Sequence, residues 1–224
     1  MNAQFSRSDL KLRAKSKVAN VRGDSVVVTL VYIIIIGAVN GVASGIGGAL
    51  TAVNLNAGVF VNIIGMGASL LLAPVFTYGY VLYCRNIVTG APQSINNLFA
   101  GFNQYSRVIC TGLLVALYTF LWSLLFIIHG IIASYRYRFA YQFIIDYPEM
   151  TATQAIEASK MMTRGRKMDL FVLDLSFIGW NLLVGLTCGI LGLWIAPYEQ
   201  ASVQEFYEYY KFLDMQNQGN PFQV

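Results

Sequence analysis

The chain has 224 residues, of which 56% are hydrophobic and only 12% charged, against about 25% charged in average soluble domains. That composition excludes an ordinary water-soluble protein, and the length excludes a separate soluble catalytic domain beside a membrane domain of roughly four to six helices. The net charge is +4. Because Arg7, Lys11, Arg13, Lys15, Lys17 and Arg22 all precede the first apolar run, the charge points to anionic lipid head groups rather than to nucleic acid.

Residues 5–22 read as a basic helix lying in the cytoplasmic interface, with Leu10, Ala14, Val18 and Val21 on one side and Arg13, Lys17 and Arg22 on the other. The basic stretch is too long, and the apolar run behind it too extended, for a cleavable signal peptide, so the first span is expected to be retained. Residues 25–84 carry no Asp, Glu, Lys, Arg or His. In water that run would expose a large apolar patch. In a bilayer it suffices for two spanning helices of about 20 residues each. We place them at 26–48 and 59–84, around a neutral turn over 51–57 marked by Asn54 and Asn56. Gly37, Gly41 and Gly45 form a small-xxx-small ladder, and Gly185 with Gly189 repeats the spacing. Such faces let helices approach closely in lipid, here for packing inside the bundle, with homo-oligomerisation as the alternative.

Residues 94–104 read as an amphipathic surface helix, with Leu98, Phe99 and Phe102 dipping into lipid. Arg107 then opens an apolar run that continues to Tyr135, interrupted only by His129. If 108–134 cross once, for a total of four spans, the loop 135–168 lies outside although it carries Arg136, Arg138, Lys160, Arg164, Arg166 and Lys167. That arrangement breaks the positive-inside rule. If the chain reverses near His129-Gly130, residues 131–147 form a short, polar fourth helix and the basic loop stays cytoplasmic. The second account is preferred, giving about six membrane helices in an all-α bundle, two of them short and polar.

Residues 151–164 carry strong helix signals: Thr151 as cap, Gln154 completing a capping box and Gly165 as the left-handed stop. Glu157 and Lys160 are spaced to pair on the wet side. A further span covers about 170–195, with Asp169 and Asp174 in its first turns, where the helix dipole favours anions. Pro197 breaks or kinks the chain, and a tyrosine-rich, acidic helix follows over 199–213. The domain organisation is thus an interfacial segment (1–24), one membrane domain (25–213) and a polar tail (214–224).

The constellation that stands out is Tyr135, Arg136, Arg138 and Tyr141 set against Tyr198, Glu199 and Glu205. An ionisable group at membrane depth costs about 2.5–3.5 kcal/mol on insertion scales, so such groups face the interior and pair. We expect Arg136 or Arg138 to pair with Glu199 or Glu205. Alternatively these residues snorkel to the head-group layer and the tyrosines form an aromatic belt. No Ser/His/Asp order, HExxH, CxxC or paired carboxylates appear, so no catalytic residue, metal site or cofactor is expected. His129 reads as a turn or interface residue. Cys84, Cys110 and Cys188 read as free thiols packing as small hydrophobes.

One family resemblance emerges from these residues. It rests on the segment 122–130; on Tyr135, Asp146 and Pro148; on Ala155-Ile156, Ser159-Lys160-Met161-Met162, Gly165 and Lys167; and on Phe171, Leu175-Ser176-Phe177-Ile178-Gly179-Trp180, Pro197-Tyr198 and Phe206-Tyr207. Together with Leu98-Phe99-Ala100-Gly101-Phe102, these resemble a family of bacterial integral membrane proteins known as domain of unknown function 975. That family is distantly similar to the membrane domain of some glycerophosphodiester phosphodiesterases. Relatives usually carry Pro-Gly where this chain has His129-Gly130, which agrees with a helix break there. The resemblance implies a multi-pass protein of the bacterial plasma membrane and supplies no catalytic residues. The expected function is therefore a non-enzymatic accessory or binding component in envelope, lipid or peptide handling. The alternative is a small transporter that uses the Arg/Tyr/Glu cluster as its site.

Overall fold

The computed structural model describes residues 7–125 and 127–218, and every regular element among them is helical. Helix α1 (Arg7–Asn20) and helix α2 (Arg22–Val53) are separated only by Val21, whose φ of −123° leaves the helical region. Arg22 therefore heads the first apolar helix rather than closing the basic one. The neutral turn is tighter than expected. It reduces to Asn54, whose extended backbone ends α2 and whose side chain accepts from the Asn56 and Ala57 amides at 3.1 and 3.2 Å, capping α3 (Leu55–Thr89). With 32 and 35 residues, α2 and α3 run about 48 and 52 Å, well beyond a hydrocarbon core of about 30 Å. They pack as an antiparallel hairpin. Gly47 sits against Asn62 and Gly58 against Thr51, and Thr29 shares a 3.2 Å hydrogen bond with Tyr80.

The surface helix expected over 94–104 is instead a 3₁₀ segment (Ile95–Gln104) packed on α3. Leu98 is fully buried, Gly79 lies directly beneath the Leu98 backbone, and a Cβ on Gly101 would come within 2.6 Å of the Val75 carbonyl oxygen. The apolar face of this segment is thus largely spent on a neighbouring helix, while Ile95, Phe99 and Phe102 stay exposed, the two phenylalanines edge-on to Phe76. Helix α4 (Tyr105–Leu125) crosses α3 where Gly112 meets Pro74. It then pairs with α5 (Ile127–Arg136) in a second antiparallel hairpin, Gly130 against Ser123 and Tyr118 against Tyr137. The reversal expected at His129-Gly130 falls slightly earlier, between α4 and α5, and Gly130 serves the close approach instead of the break.

Helices α6 (Ala140–Asp146) and α7 (Ala152–Met162) follow, and α7 carries the predicted capping box between Thr151 and Gln154. The single span expected over 170–195 is divided. Helix α8 (Lys167–Leu175) ends at a turn over Ser176 and Phe177, α9 (Ile178–Leu186) follows, and the chain reverses through Cys188 (φ 51°) and Gly189 (φ 88°) into α10 (Gly192–Gln218). This third hairpin is closed by Gly192 against Val184 and by the edge-to-face pair Phe177 and Tyr198. Pro197 lies in the second turn of α10, where it forgoes one backbone bond, and the helix nevertheless runs through it. It also runs past Leu213, because Asp214 is held by Arg166, so the expected tail begins as helix.

Among the described residues, four stretches are long and apolar enough to cross a membrane: Arg22–Val53, Leu55–Thr89, Ile95–Leu124 and Lys167–Leu186. Between 13% and 17% of the residues in their apolar windows are buried inside the molecule. Helices α5 and α6, at 10 and 7 residues, are too short to cross alone. The packed core gathers α1, the start of α2, the end of α3, α6, α7, α8 and α10 around Tyr83, Phe139, Phe143, Leu170, Phe206 and Tyr207. Beyond it the three hairpins project apolar, exposed tips: Val53, Leu55 and Phe60; Phe120, Leu124 and Ile128; Leu182, Leu186 and Ile190.

Candidate functional site

Charged residues carried by five different helices converge on the packed core, and carboxylates organise them. Asp146, at the end of α6, is ion-paired with both Arg85 of α3 and Lys211 of α10, and accepts a 2.8 Å hydrogen bond from the Tyr207 hydroxyl. Its side chain is only 2% exposed, so two cations and a phenol replace the water it has lost. Lys17 of α1 pairs with the buried Glu205 at 2.5 Å and donates to the Val88 carbonyl at 2.7 Å, fastening α1 to α10 and to the end of α3. Arg7 reaches Asp169 at 2.5 Å, which also accepts from Tyr210, and Arg166 grips Asp214 through both of its terminal nitrogens.

The predicted cluster does not assemble as one unit. Arg138 forms a two-pronged pair with Asp174, at 2.9 and 3.1 Å, and the Tyr135 hydroxyl donates to the same carboxylate at 2.9 Å. Glu199 lies beside this group. Burial, and then the Asp174 charge, raise its pKa, opposed by a hydrogen bond from Asn181 and by Arg138. Three of the seven residues, Tyr135, Arg138 and Glu199, therefore come together, and they do so around Asp174. Arg136 instead lies over the Trp122 ring at 5.6 Å, with its carbonyl accepting from Ser159 and Thr163 of α7. Tyr141 packs at Gly112 beside Pro74, Tyr198 meets Phe177, and Glu205 belongs to Lys17. The pairing of arginine with Glu199 or Glu205 is thus replaced by pairing with Asp174. Sequence reasoning read Asp174 as a helix-dipole residue. Its signal was a lone carboxylate inside an apolar run, which needs a cation wherever the chain supplies one.

Glu208 has a buried carboxylate oxygen with no hydrogen-bond partner among the described residues, and burial together with Asp146 raises its pKa against the pull of Lys211 and Arg85. A carboxyl whose folded pKa is raised stabilises the fold most below its unfolded pKa and loses that contribution as pH climbs through the folded value. Glu208→Gln is therefore expected to raise the melting temperature of the detergent-solubilised chain at about pH 7 and to leave it unchanged at about pH 4. An equal shift at both pH values would remove the electrostatic explanation.

The glycine ladder has no close neighbour among the described residues. A Cβ at Gly37, Gly41 or Gly45 would meet nothing within 4 Å, the same holds at Gly185, and Gly189 serves the reversal at φ 88°. Close packing falls instead on Gly47, Gly58, Gly79, Gly101, Gly112 and Gly130. Cys84 is buried, as expected of a packing thiol, whereas Cys110 and Cys188 are exposed. No group of three or more His, Cys, Asp or Glu that could hold a metal ion occurs among the described residues.

A family model described as "Protein of unknown function (DUF975)" matches residues 1–133 and 124–212. No curated protein and no solved structure is similar enough to match.

Proposed function

The chain belongs to the DUF975 family of proteins of unknown function, and on that premise we propose a non-enzymatic, multi-pass protein of the bacterial plasma membrane that binds lipid or envelope components as an accessory factor. The observation that carries this reading is the division of the molecule into an ion-paired core and three exposed apolar hairpins. Lipid is the solvent that such hairpins need, while the core suits the interface, where water and head groups reach its outer charges.

The same division supports a cytoplasmic N-terminus. Asp146 pairs with Arg85, so the chain has returned by residue 146 to the end of the bundle where α3 finishes. The basic residues of α1 and of the 164–167 turn then share one side, as the positive-inside rule requires. Helix α9, with 9 residues and about 14 Å, spans less than half of a hydrocarbon core of about 30 Å, so we read the α9/α10 hairpin as dipping into the bilayer and returning. The test is one-sided thiol labelling of a variant lacking the native cysteines. Gln154→Cys is expected to react only from the cytoplasm and Asn54→Cys only from outside. Labelling of both positions from the same side would overturn this topology.

The transporter alternative draws on the half-buried Glu199 beside Arg138 and Asp174. Against it, the arginine is already satisfied by two bonds to Asp174, so its charge is not free to recognise a solute. Liposomes holding the wild-type chain are accordingly expected to show no solute flux that Arg138→Ala or Glu205→Ala abolishes.

A further inference from the structure

Between α1 and the root of the α9/α10 hairpin lies a cleft of about 210 Å³ lined by Lys15, Arg22, Ser25, Trp180, Trp194 and Tyr198, among others. We propose that this cleft is a binding site for the phosphate of an anionic phospholipid, an assignment that rests on the membrane reading above. Its charge is the first reason. Most other basic residues of this region are committed within the protein: Arg7 to Asp169, Lys11 to Ser176 and Lys17 to Glu205. Lys15 and Arg22 form no ion pair among the described residues, and no carboxylate lines the cleft. Two positive groups spaced seven residues apart, on α1 and the first residue of α2, thus face one concavity with nothing to neutralise them.

The walls supply the second reason. Trp180 and Trp194 remain 46% and 43% exposed at the root of a hairpin whose tip carries the exposed Leu182, Leu186 and Ile190. Indole rings favour the level where acyl chains meet head groups, with the ring body in hydrocarbon and the N–H toward polar groups. The Tyr198 hydroxyl has no hydrogen-bond partner among the described residues and adds a donor to the same wall. Cations above, aromatic walls below and an apolar path beyond match a phosphate with acyl chains attached. A free phosphate would use the cations but not the indoles.

The chain's three tryptophans make the site directly readable. With Trp122→Phe as background, the full chain is reconstituted in phosphatidylcholine vesicles containing a minor fraction of phosphatidylglycerol, with bromine on the acyl chains of one lipid or the other at equal mole fraction. Trp180 and Trp194 are expected to be quenched on the order of tenfold more efficiently, per brominated lipid, by phosphatidylglycerol, given about fivefold for each basic side chain at the surface. The Lys15→Gln/Arg22→Gln pair should abolish the preference, and Arg13→Gln, another unpaired cation outside the cleft, should leave it intact. Equal quenching by both lipids would overturn the site while leaving the membrane reading standing, whereas quenching by neither would sink the membrane placement of the hairpin as well. Loss of the preference with Arg13→Gln to the same extent would reduce the effect to general surface charge. Loss on adding inorganic phosphate would reassign the cleft to free phosphate.

Discussion

Asp146→Asn is expected to cost about 3 kcal/mol of stability, the largest effect of any single polar substitution in the chain. The side chain is 2% exposed, is ion-paired with Arg85 and accepts from Lys211 and Tyr207, so one carboxylate ties α3, α6 and α10 together. An amide of the same shape keeps the volume but cannot neutralise two cations. It leaves both beside a buried neutral group and turns an acceptor toward donors and a donor toward donors. Lys211→Ala should cost less, since Arg85 still balances the remaining charge, and Tyr207→Phe about 1 kcal/mol for a single hydrogen bond. Thermal or denaturant unfolding in detergent measures all three. A melting temperature for Asp146→Asn equal to that of the wild type would show that the three-way contact contributes nothing.

Gly79→Ala is expected to destabilise by about 1–3 kcal/mol, although alanine is intrinsically the better helix former by about 1 kcal/mol. The added methyl would strike the backbone of Leu98, and backbone cannot swing aside as a flexible side chain can. Either α3 or the 3₁₀ segment must move, which opens the seam that buries Leu98. Gly41→Ala is the matched control. It sits in the same hairpin with nothing within 4 Å of the new carbon, so there the helix-propensity gain should appear undiminished. Equal effects of the two substitutions would falsify the assignment of close packing to Gly79.

That pair of glycines also marks the limit of what could be read in advance. The four-residue spacing of Gly37, Gly41 and Gly45 is the pattern that marks a packing face, yet among the described residues this face is open. Gly79 and Gly101 have no such spacing, and both are crowded by backbone atoms where the 3₁₀ segment meets α3. Spacing along a helix reports which face a residue occupies, not whether another helix comes to it. The ion pairs behave alike. That Arg138 needs a carboxylate follows from the cost of a bare charge near lipid. Asp174 became that carboxylate because α8 packs beside α5, a contact between segments 36 residues apart. The capping box at Thr151, by contrast, was readable because both partners lie within one helical turn.

The sequence by itself determined the apolar character of the long helices and the local elements. The charge-free run over 25–84 makes two helices apolar enough to cross a membrane, Asn54 ends one and starts the other, and the cations of α1 gather ahead of them. These features depend on composition and on neighbours a few residues apart, where chain connectivity already supplies proximity. Only the tertiary structure decided which charges neutralise one another, which glycines are crowded and which cations remain unspent at Lys15 and Arg22. Each of those depends on helices distant in sequence arriving at the same place, and closing such long loops is governed by the sum of all packing contacts, not by any local pattern.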